Sequence, residues 1–478
     1  MTTNEYIAAI EIGSSKIIGA VGIHTLEGTK ILAYASEAAG SYVTKGVIRN
    51  VDEAGKSLNS LINRLESQMK NIYIKKVYVA FDCMSIHSVT SKVTKKFDSF
   101  TKITQDIIDS MLAENDNAFK VPAGYKKLQV VPQEYKLNGD TNTSPIGTPT
   151  LGIECTYLNI IVKEQYLCQL EEAFNMAKIE IIDRYNSVRL ESEIILSEEE
   201  TSCGTALVNI GAEITTIAIH SNRMLRNLTV IPIGSANITK DLCSAQITPE
   251  EAEQIKIFKG YASGEKNDSP LSTEKLDNII AARMSEILKN VQYQLENSGY
   301  EIGRIVFTGG GSSLKNTPML IEENMPNYKY RICNNPQLPY SKDEQHTLAT
   351  GSITPSLFAL LNRGEANCCD EEVLAPADSN IPENLFTGEN NVETQQTTSA
   401  TEEKTEEGNN PAPDKSSAKK KNKKEEEETQ QTNTGTGKKP GPQKEWGLGK
   451  MMDFFEDWWR NEVINEDDNN DDKEEELV

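Results

Sequence analysis

The segment IAAIEIGSSKIIGAVGI, residues 7–23, reads as strand, tight glycine turn and strand, a hairpin whose polar tip is Gly13, Ser14, Ser15 and Lys16. Phosphates need a dense array of donors; a tight turn supplies backbone N–H groups, and Ser and Lys side chains add more. Glu11, just ahead of the turn, is placed to hold a Mg²⁺ ion through water, since hard divalent cations take carboxylate oxygens and keep part of their hydration shell. A Gly-Ser-Ser hairpin by itself is also an ordinary turn. A second hairpin, TALVNIGAEITTIAIH at 205–220, repeats the pattern about 200 residues on and predicts an internally duplicated, two-lobed architecture. A third element, RIVFTGGGSSL at 304–314, runs a buried strand into Gly309, Gly310, Gly311 and Ser312. Such glycines either let backbone approach a ligand or serve only the packing of a strand-to-helix turn.

Working outward, β-branched runs bounded by Gly and Asn alternate with longer helical patterns up to about residue 366, which implies an α/β fold. A chain of 478 residues exceeds one compact unit. It holds no run of about 18 apolar residues, and its polar start lacks the layout of a secretion signal, so a cytoplasmic location is expected. The eight cysteines form no CxxC pair and read as reduced and mostly buried; with four scattered histidines, a zinc or His-based metal site is not expected. A net charge of −23 argues against a nucleic-acid partner.

From residue 367 to 445 apolar residues thin out and Thr, Glu, Asn, Lys and Pro dominate, including KKKNKKEEEE at 419–428; this is a linker that cannot bury a core. Beyond it, WGLGKMMDFFEDWWRNEVI at 446–464 carries all three tryptophans of the chain. Leu448, Met451, Met452, Phe455 and Trp459 recur at spacings of three and four, Phe454, Trp458 and Ile464 broaden this apolar stripe, and Trp446 stands at its start. The stripe suits a membrane surface, a partner's groove or a helix folded back on the globular body. Residues 465–478 form an acidic tail.

The order of these pieces resembles the actin, Hsp70 and sugar-kinase superfamily and, within it, the FtsA family of bacterial cell-division proteins. SYVTKGVIRNVDEAGKSL (41–58), KLQVVPQEYKLNG (127–139), SPIGTPTLGIE (144–154), VIPIGSANITKDLCSAQITPEEAEQIKIFKG (230–260) and HTLATGSITPSLF (346–358) carry the likeness, which covers about residues 7–361 and resumes at the terminal helix. It implies an α/β, actin-like two-lobed ATPase fold with an FtsA-type inserted subdomain. Subdomain 1A would take 1–82 and 164–203 with a closing helix at 351–366, the insert 83–163, subdomain 2A 204–237 and 303–350, and subdomain 2B 238–302. A disordered linker (367–445) and an amphipathic membrane-targeting helix (446–464) would follow.

The resemblance further implies ATP and Mg²⁺ as cofactors, with phosphates near Gly13–Lys16, Asn209, Gly211, Ala212, Glu213, Gly234 and Gly309–Ser312. Glu253 and Lys256 would face ribose and base, or form an exposed i,i+3 ion pair. Glu191 sits about where the superfamily keeps a water-orienting residue, or is a solvated helix-face glutamate. The implied partners are the FtsZ C-terminal peptide near Arg283, other copies of the chain, membrane lipids and later divisome proteins, at the inner face of the cell membrane. Arg283 is alternatively a solvated helix residue. A pilus-assembly adaptor of the PilM type and an actin-like kinase are the rival readings. Two departures stand out. The second hairpin, usually Asp-x-Gly-Gly-Gly-Thr, here runs from Asn209 through Glu213 to Ile214, which predicts weakened ATP affinity or slow hydrolysis. The terminal helix sets only Lys450 and Arg460 against Asp453, Glu456 and Asp457, so binding must lean on apolar burial.

Overall fold

The computed structural model describes residues 5–142, 144–244, 246–259, 273–315, 317–333, 336, 338 and 353–371. The first lobe starts with β1 (Tyr6–Ile12), β2 (Lys16–Thr25), β3 (Gly28–Ala38), the two-residue strands β4 (Val43–Thr44) and β5 (Val47–Ile48), α1 (Val51–Glu66), β6 (Ile72–Ile74) and β7 (Lys76–Phe81). An insert follows: β8 (His87–Lys102), α2 (Gln105–Ala118), β9 (Tyr125–Leu137), β10 (Asp140–Asn142) and β11 (Pro149–Lys163). The chain returns through α3 (Glu164–Met176), β12 (Glu180–Asn186) and α4 (Ser187–Ile195). The second lobe holds α5 (Glu198–Ser202), β13 (Thr205–Ile210), β14 (Thr215–Ser221), β15 (Met224–Ile231), α6 (Ala236–Cys243), α7 (Pro249–Gln254), α8 (Thr273–Glu296), β16 (Arg304–Thr308), α9 (Thr317–Asn324) and β17 (Lys329–Ile332). Finally, α10 (Pro355–Arg363) and β18 (Cys369–Glu371) return to the first lobe.

The duplication is visible in the topology. In the first lobe the order is β12-β7-β1-β2-β3, with β1 antiparallel to β2 and parallel to β7. The second lobe repeats it as β17-β16-β13-β14-β15, with β13 antiparallel to β14 and parallel to β16. β1 is buried along nearly its whole length instead of on alternate residues, because helices cover both faces of its sheet. Gly19 and Gly22 on β2 show why: a Cβ at Gly19 would press on Leu61 and Leu65 of α1, and one at Gly22 lies near Leu361 of α10. α1 starts on Asn50, whose side chain accepts the Glu53 N–H, and buries Leu58, Leu61, Ile62 and Leu65.

In the insert, α2 packs on the sheet of β8, β9 and β11 over a small core that includes Val93, Met111, Tyr135, Ile153 and Tyr157. Asn115 and Asn159, both fully buried, satisfy each other and Ser91, which keeps that polar pair affordable inside an apolar layer. The insert's sheet joins the second lobe's at the register pair Thr229–His87, giving one nine-stranded sheet.

Two expectations are corrected here. The linker does not begin at 367: residues 367–371 form a strap in which β18 pairs antiparallel with β6, Cys368 N–H donates to Tyr6 O, and Tyr6 Oη donates to Glu371. Composition hid it, since a three-residue strand needs only one edge to pair with. Of the eight cysteines, all free, four are buried and two, Cys168 and Cys203, are exposed. The acidic tail, the terminal helix and the rest of the linker lie outside the described residues.

Gly46, in the turn between β4 and β5, has φ of +73°, and a Cβ there would fall 1.8 Å from the Asp82 carbonyl oxygen. Gly124 has φ of +76° but open space around it. Gly46→Ala is therefore expected to lose more than about 3 kcal/mol of stability and Gly124→Ala about 1 kcal/mol. Urea denaturation of the two variants checks this; equal losses would contradict the packing described.

Candidate functional site

A cavity of about 1430 Å³ lies between the two hairpin tips, beyond the carboxyl ends of β1, β13 and β16, where open α/β sheets bind ligands. The same turn closes both hairpins: Gly13 N–H donates to Lys16 O at 3.0 Å, and Gly211 N–H to Ile214 O at 2.9 Å. Ser14, Ser15, Lys16, Ala212 and Glu213 all line the cavity. Between the tips, the β4–β5 turn donates Gly46 N–H to Ser14 Oγ (2.9 Å) and Lys45 N–H to Glu213 Oε2 (2.6 Å).

The three consecutive glycines divide their work. Gly309 (φ +86°) and Gly311 are required by packing, since a Cβ on either would fall 2.4 Å from Asn209 or Ile210 atoms. Gly310 alone of the three has open space beside it while lining the cavity. Ser312 is buried with its hydroxyl donated to Gly309 O, and neither it nor Gly311 lines the cavity. Gly234 does not line it either; a Cβ there would strike Ala212 O, so its role is close backbone approach.

Three carboxylates form the floor. Glu11 accepts hydrogen bonds from Thr354 and, at 2.7 Å, from Ser356 of α10; burial pushes its carboxyl up despite those donors and Lys16. Thr354 thus ties the cap of α10 to the cavity, for its oxygen also accepts Leu357 N–H. Glu191 is no solvated face residue. It is buried, and both its oxygens accept from Asn209 Nδ2 at 2.8 and 3.0 Å. Burial, reinforced by the charge of Glu11, pushes it up to about 8. The amide at 209 supplies the donor this buried carboxyl needs; an ionised aspartate would supply none.

Asp82, which sequence reasoning passed over, accepts from Asn186 Nδ2 (2.9 Å) and from Thr216 Oγ1 (2.6 Å), and burial pushes it up to about 7. Its signal was present, in a mostly apolar strand, KVYVAF, running into an acid at its carboxyl end. Lys240, also missed, lines the cavity with its ammonium 3.5 Å from Glu213.

At the other end, Glu253 and Lys256 make their ion pair at 2.7 Å, with the carboxylate exposed and the ammonium buried. Lys256 is 5% exposed and also donates to Thr239 Oγ1 and Ser235 O. Ile257 lines the same region with an exposed apolar side chain. Arg283 lies outside the cavity: α8 holds its guanidinium against both oxygens of Asp241, on α6, and against Glu286. It is neither free nor fully solvated.

The donor set fits a nucleotide, with serines, Lys16 and a bare Gly310 wall at one end and apolar and amphipathic groups at the other. It fits Mg²⁺ only through water. Among the described residues no three acidic, His or Cys side chains converge on one point, and the oxygens of Asp82 and Glu191 are already hydrogen-bonded.

Comparison with known proteins agrees with this geometry. Residues 206–351 match the family described as "Cell division protein FtsA". FtsA of Porphyromonas gingivalis is 27% identical over 337 residues, 66% of this chain and 69% of that protein. FtsA of Bacillus subtilis is 26% identical over 372 residues, 74% and 84% of the respective chains. A solved PilM-PilN type IV pilus biogenesis complex superposes with a TM-score of 0.55 at 13% identity, covering 74% of this chain and 96% of that one. The duplicated lobes around a shared cavity are those of the actin-like proteins. Within that class the chain is similar in sequence to FtsA proteins.

The floor carboxyls set a pH dependence. Glu191 and Asp82 keep their protons in the folded state above the pH at which the unfolded chain releases them, from about 4 upward, so stability falls as pH rises toward 7 and 8. Without added ligand, unfolding free energy should drop by several kcal/mol between about pH 5 and pH 8, and Glu191→Gln should flatten the slope. Urea titrations at the two pH values check this; a rise with pH would contradict the burial of these acids.

Proposed function

We propose that the chain is an ATP-binding, actin-like cell-division protein that self-assembles, grips the tubulin-like protein FtsZ, holds it at the inner face of the cell membrane and recruits later division proteins. The observation that carries this reading is the cavity itself, flanked by two hairpins of one design in a chain whose relatives are FtsA proteins. Gly13–Lys16, the backbone of Gly211 and Ala212, and Gly310 would meet the phosphates, with Glu213 at the edge of their site, and Glu253, Lys256 and Ile257 would meet the ribose and base. Bound Mg²⁺ would supply charge neutralisation for the phosphates. The chain's own part is to hold Glu11 and Asp82 as acceptors for its water shell, with Glu191 set behind Asn209 to orient a water.

Membrane attachment rests on the apolar stripe of residues 446–464, because among the described residues no helix is long and apolar enough to cross a bilayer. Several weak anchors on one assembly would bind by avidity. The FtsZ peptide would dock beside Arg283, where an incoming carboxylate would compete with Asp241 for the guanidinium.

Gly310→Leu should leave thermal stability unchanged, because open space surrounds that position, yet weaken nucleotide binding at least about tenfold by filling the cavity wall. Calorimetric titration checks it, and undiminished affinity would remove the cavity from the mechanism. In cells, a fluorescent fusion should form a mid-cell ring that disperses without residues 446–464 and fades in Arg283→Met. A ring unaffected by the deletion would reject the membrane anchor, and one unaffected by Arg283→Met would move the FtsZ surface elsewhere.

A further inference from the structure

Glu213 has no counterpart in the first hairpin, where the matching tip holds Ser15 and Lys16. Its carboxylate lies at the cavity wall and is held from both lobes: Lys45 of the first lobe donates its backbone N–H to Oε2 at 2.6 Å, and Lys240 of α6 brings an ammonium within 3.5 Å of Oε1. These are the kinds of donor a phosphate group uses, one main-chain N–H and one cation. The Lys45 donor is built into the fold. Lys45 has φ of +51° and Gly46 +73°, so the turn is fixed in the left-handed region, and the neighbouring Gly46 N–H is spent on Ser14 of the first hairpin. Met84 N–H in turn holds Lys45 O at 3.1 Å. The turn is pinned between both hairpin tips, and the donor on its second-lobe side is taken by a side chain of the protein itself.

We propose that Glu213 is an internal anion that occupies the place of a terminal phosphate, so that the cavity selects a nucleoside diphosphate over the corresponding triphosphate. The inference rests on the nucleotide reading of the cavity and goes beyond it by naming the preferred ligand. The reasoning is electrostatic and steric together. Ser14, Ser15, Lys16 and Gly310 line the cavity as donors and open wall for a diphosphate end, separate from the Glu213 carboxylate's own partners. A third phosphate must either displace Glu213 from Lys45 N–H and Lys240 or lie beside it as a like charge, at a cost of about tenfold or more in affinity. Lys240 limits that cost, since its ammonium neutralises part of the carboxylate's field. Because the Lys45–Glu213 contact crosses from lobe to lobe, the same carboxylate latches the cleft when no triphosphate is present.

Calorimetric titration of the full chain with ADP and with a non-hydrolysable ATP analogue, each with Mg²⁺, tests the proposal. Wild type should bind ADP about tenfold or more tightly than the analogue. Glu213→Gln, which keeps an oxygen for Lys45 N–H but removes the charge, should bring the two affinities close to equal by strengthening the analogue. Lys240→Gln should widen the gap. Equal or tighter binding of the analogue by wild type, or a parallel change of both affinities in Glu213→Gln, would overturn the role of Glu213 while leaving the nucleotide cavity standing. Failure of wild type to bind either nucleotide would overturn both. Should Glu213→Gln not fold, the Lys240→Gln arm decides: an unchanged ratio there contradicts the proposal.

Discussion

A carboxylate taken out of water must find donors, and in this chain the donors for two floor carboxylates come from the opposite lobe. Thr216 on β14 reaches Asp82 at the end of β7, and Asn209 on β13 reaches Glu191 on α4. Glu11 is met by Thr354 and Ser356 where α10 begins. Each acid would be costly to bury alone. Paired across the cleft, they fix how the carboxyl ends of the two sheets approach each other and leave the hairpin tips facing one another with a cavity between. The same arrangement explains Asn209. A fourth acid there would offer Glu191 no donor and would crowd a floor already holding three buried carboxyls, so the loss of the usual aspartate belongs with the neighbouring acid and not only with weakened cation binding.

Around that floor the rest of the first lobe is arranged to keep β1 and β2 rigid. Helices cover both faces, Gly364 lets the chain after α10 pass against Ile7 and Tyr78, and the strap through Cys368 and Glu371 ties the last described residues to Tyr6 and β6. The edge of β3 is closed by α1 and the turn after it: Gln68 both accepts from and donates to the Tyr34 backbone, and Arg64 donates to Ser36 O, which blocks strand addition from outside.

Much of this was legible in the residues. Both hairpins, the strand into Gly309 and the closing helix carry strong local signals: apolar runs of strand length broken by Gly, and Thr-Pro at a helix start. The duplicated order followed from them. What sequence did not disclose is which glycines face a ligand and which face the protein. Gly310 and Gly311 look alike in a string, yet only the position of Ile210 separates them. Nor could spacing distinguish a solvated from a buried Glu191, because its burial depends on β13 and β14 packing against α4, elements distant in the chain. Asp82 lay outside every glycine motif and was overlooked for that reason. The strap at 367–371 escaped because its stability comes from an edge some 300 residues away, not from its own composition.

The central claim is that the cleft between the two hairpins closes on a nucleotide. Hydrogen exchange of the full chain with and without Mg²⁺-nucleotide measures it at the residues concerned. Slower exchange concentrated at residues 12–16, 44–47, 209–216 and 308–313, with the insert's β8–β11 sheet unchanged, is the predicted outcome. Exchange unaltered in those four segments, or protection gathered elsewhere while nucleotide is bound, would contradict it.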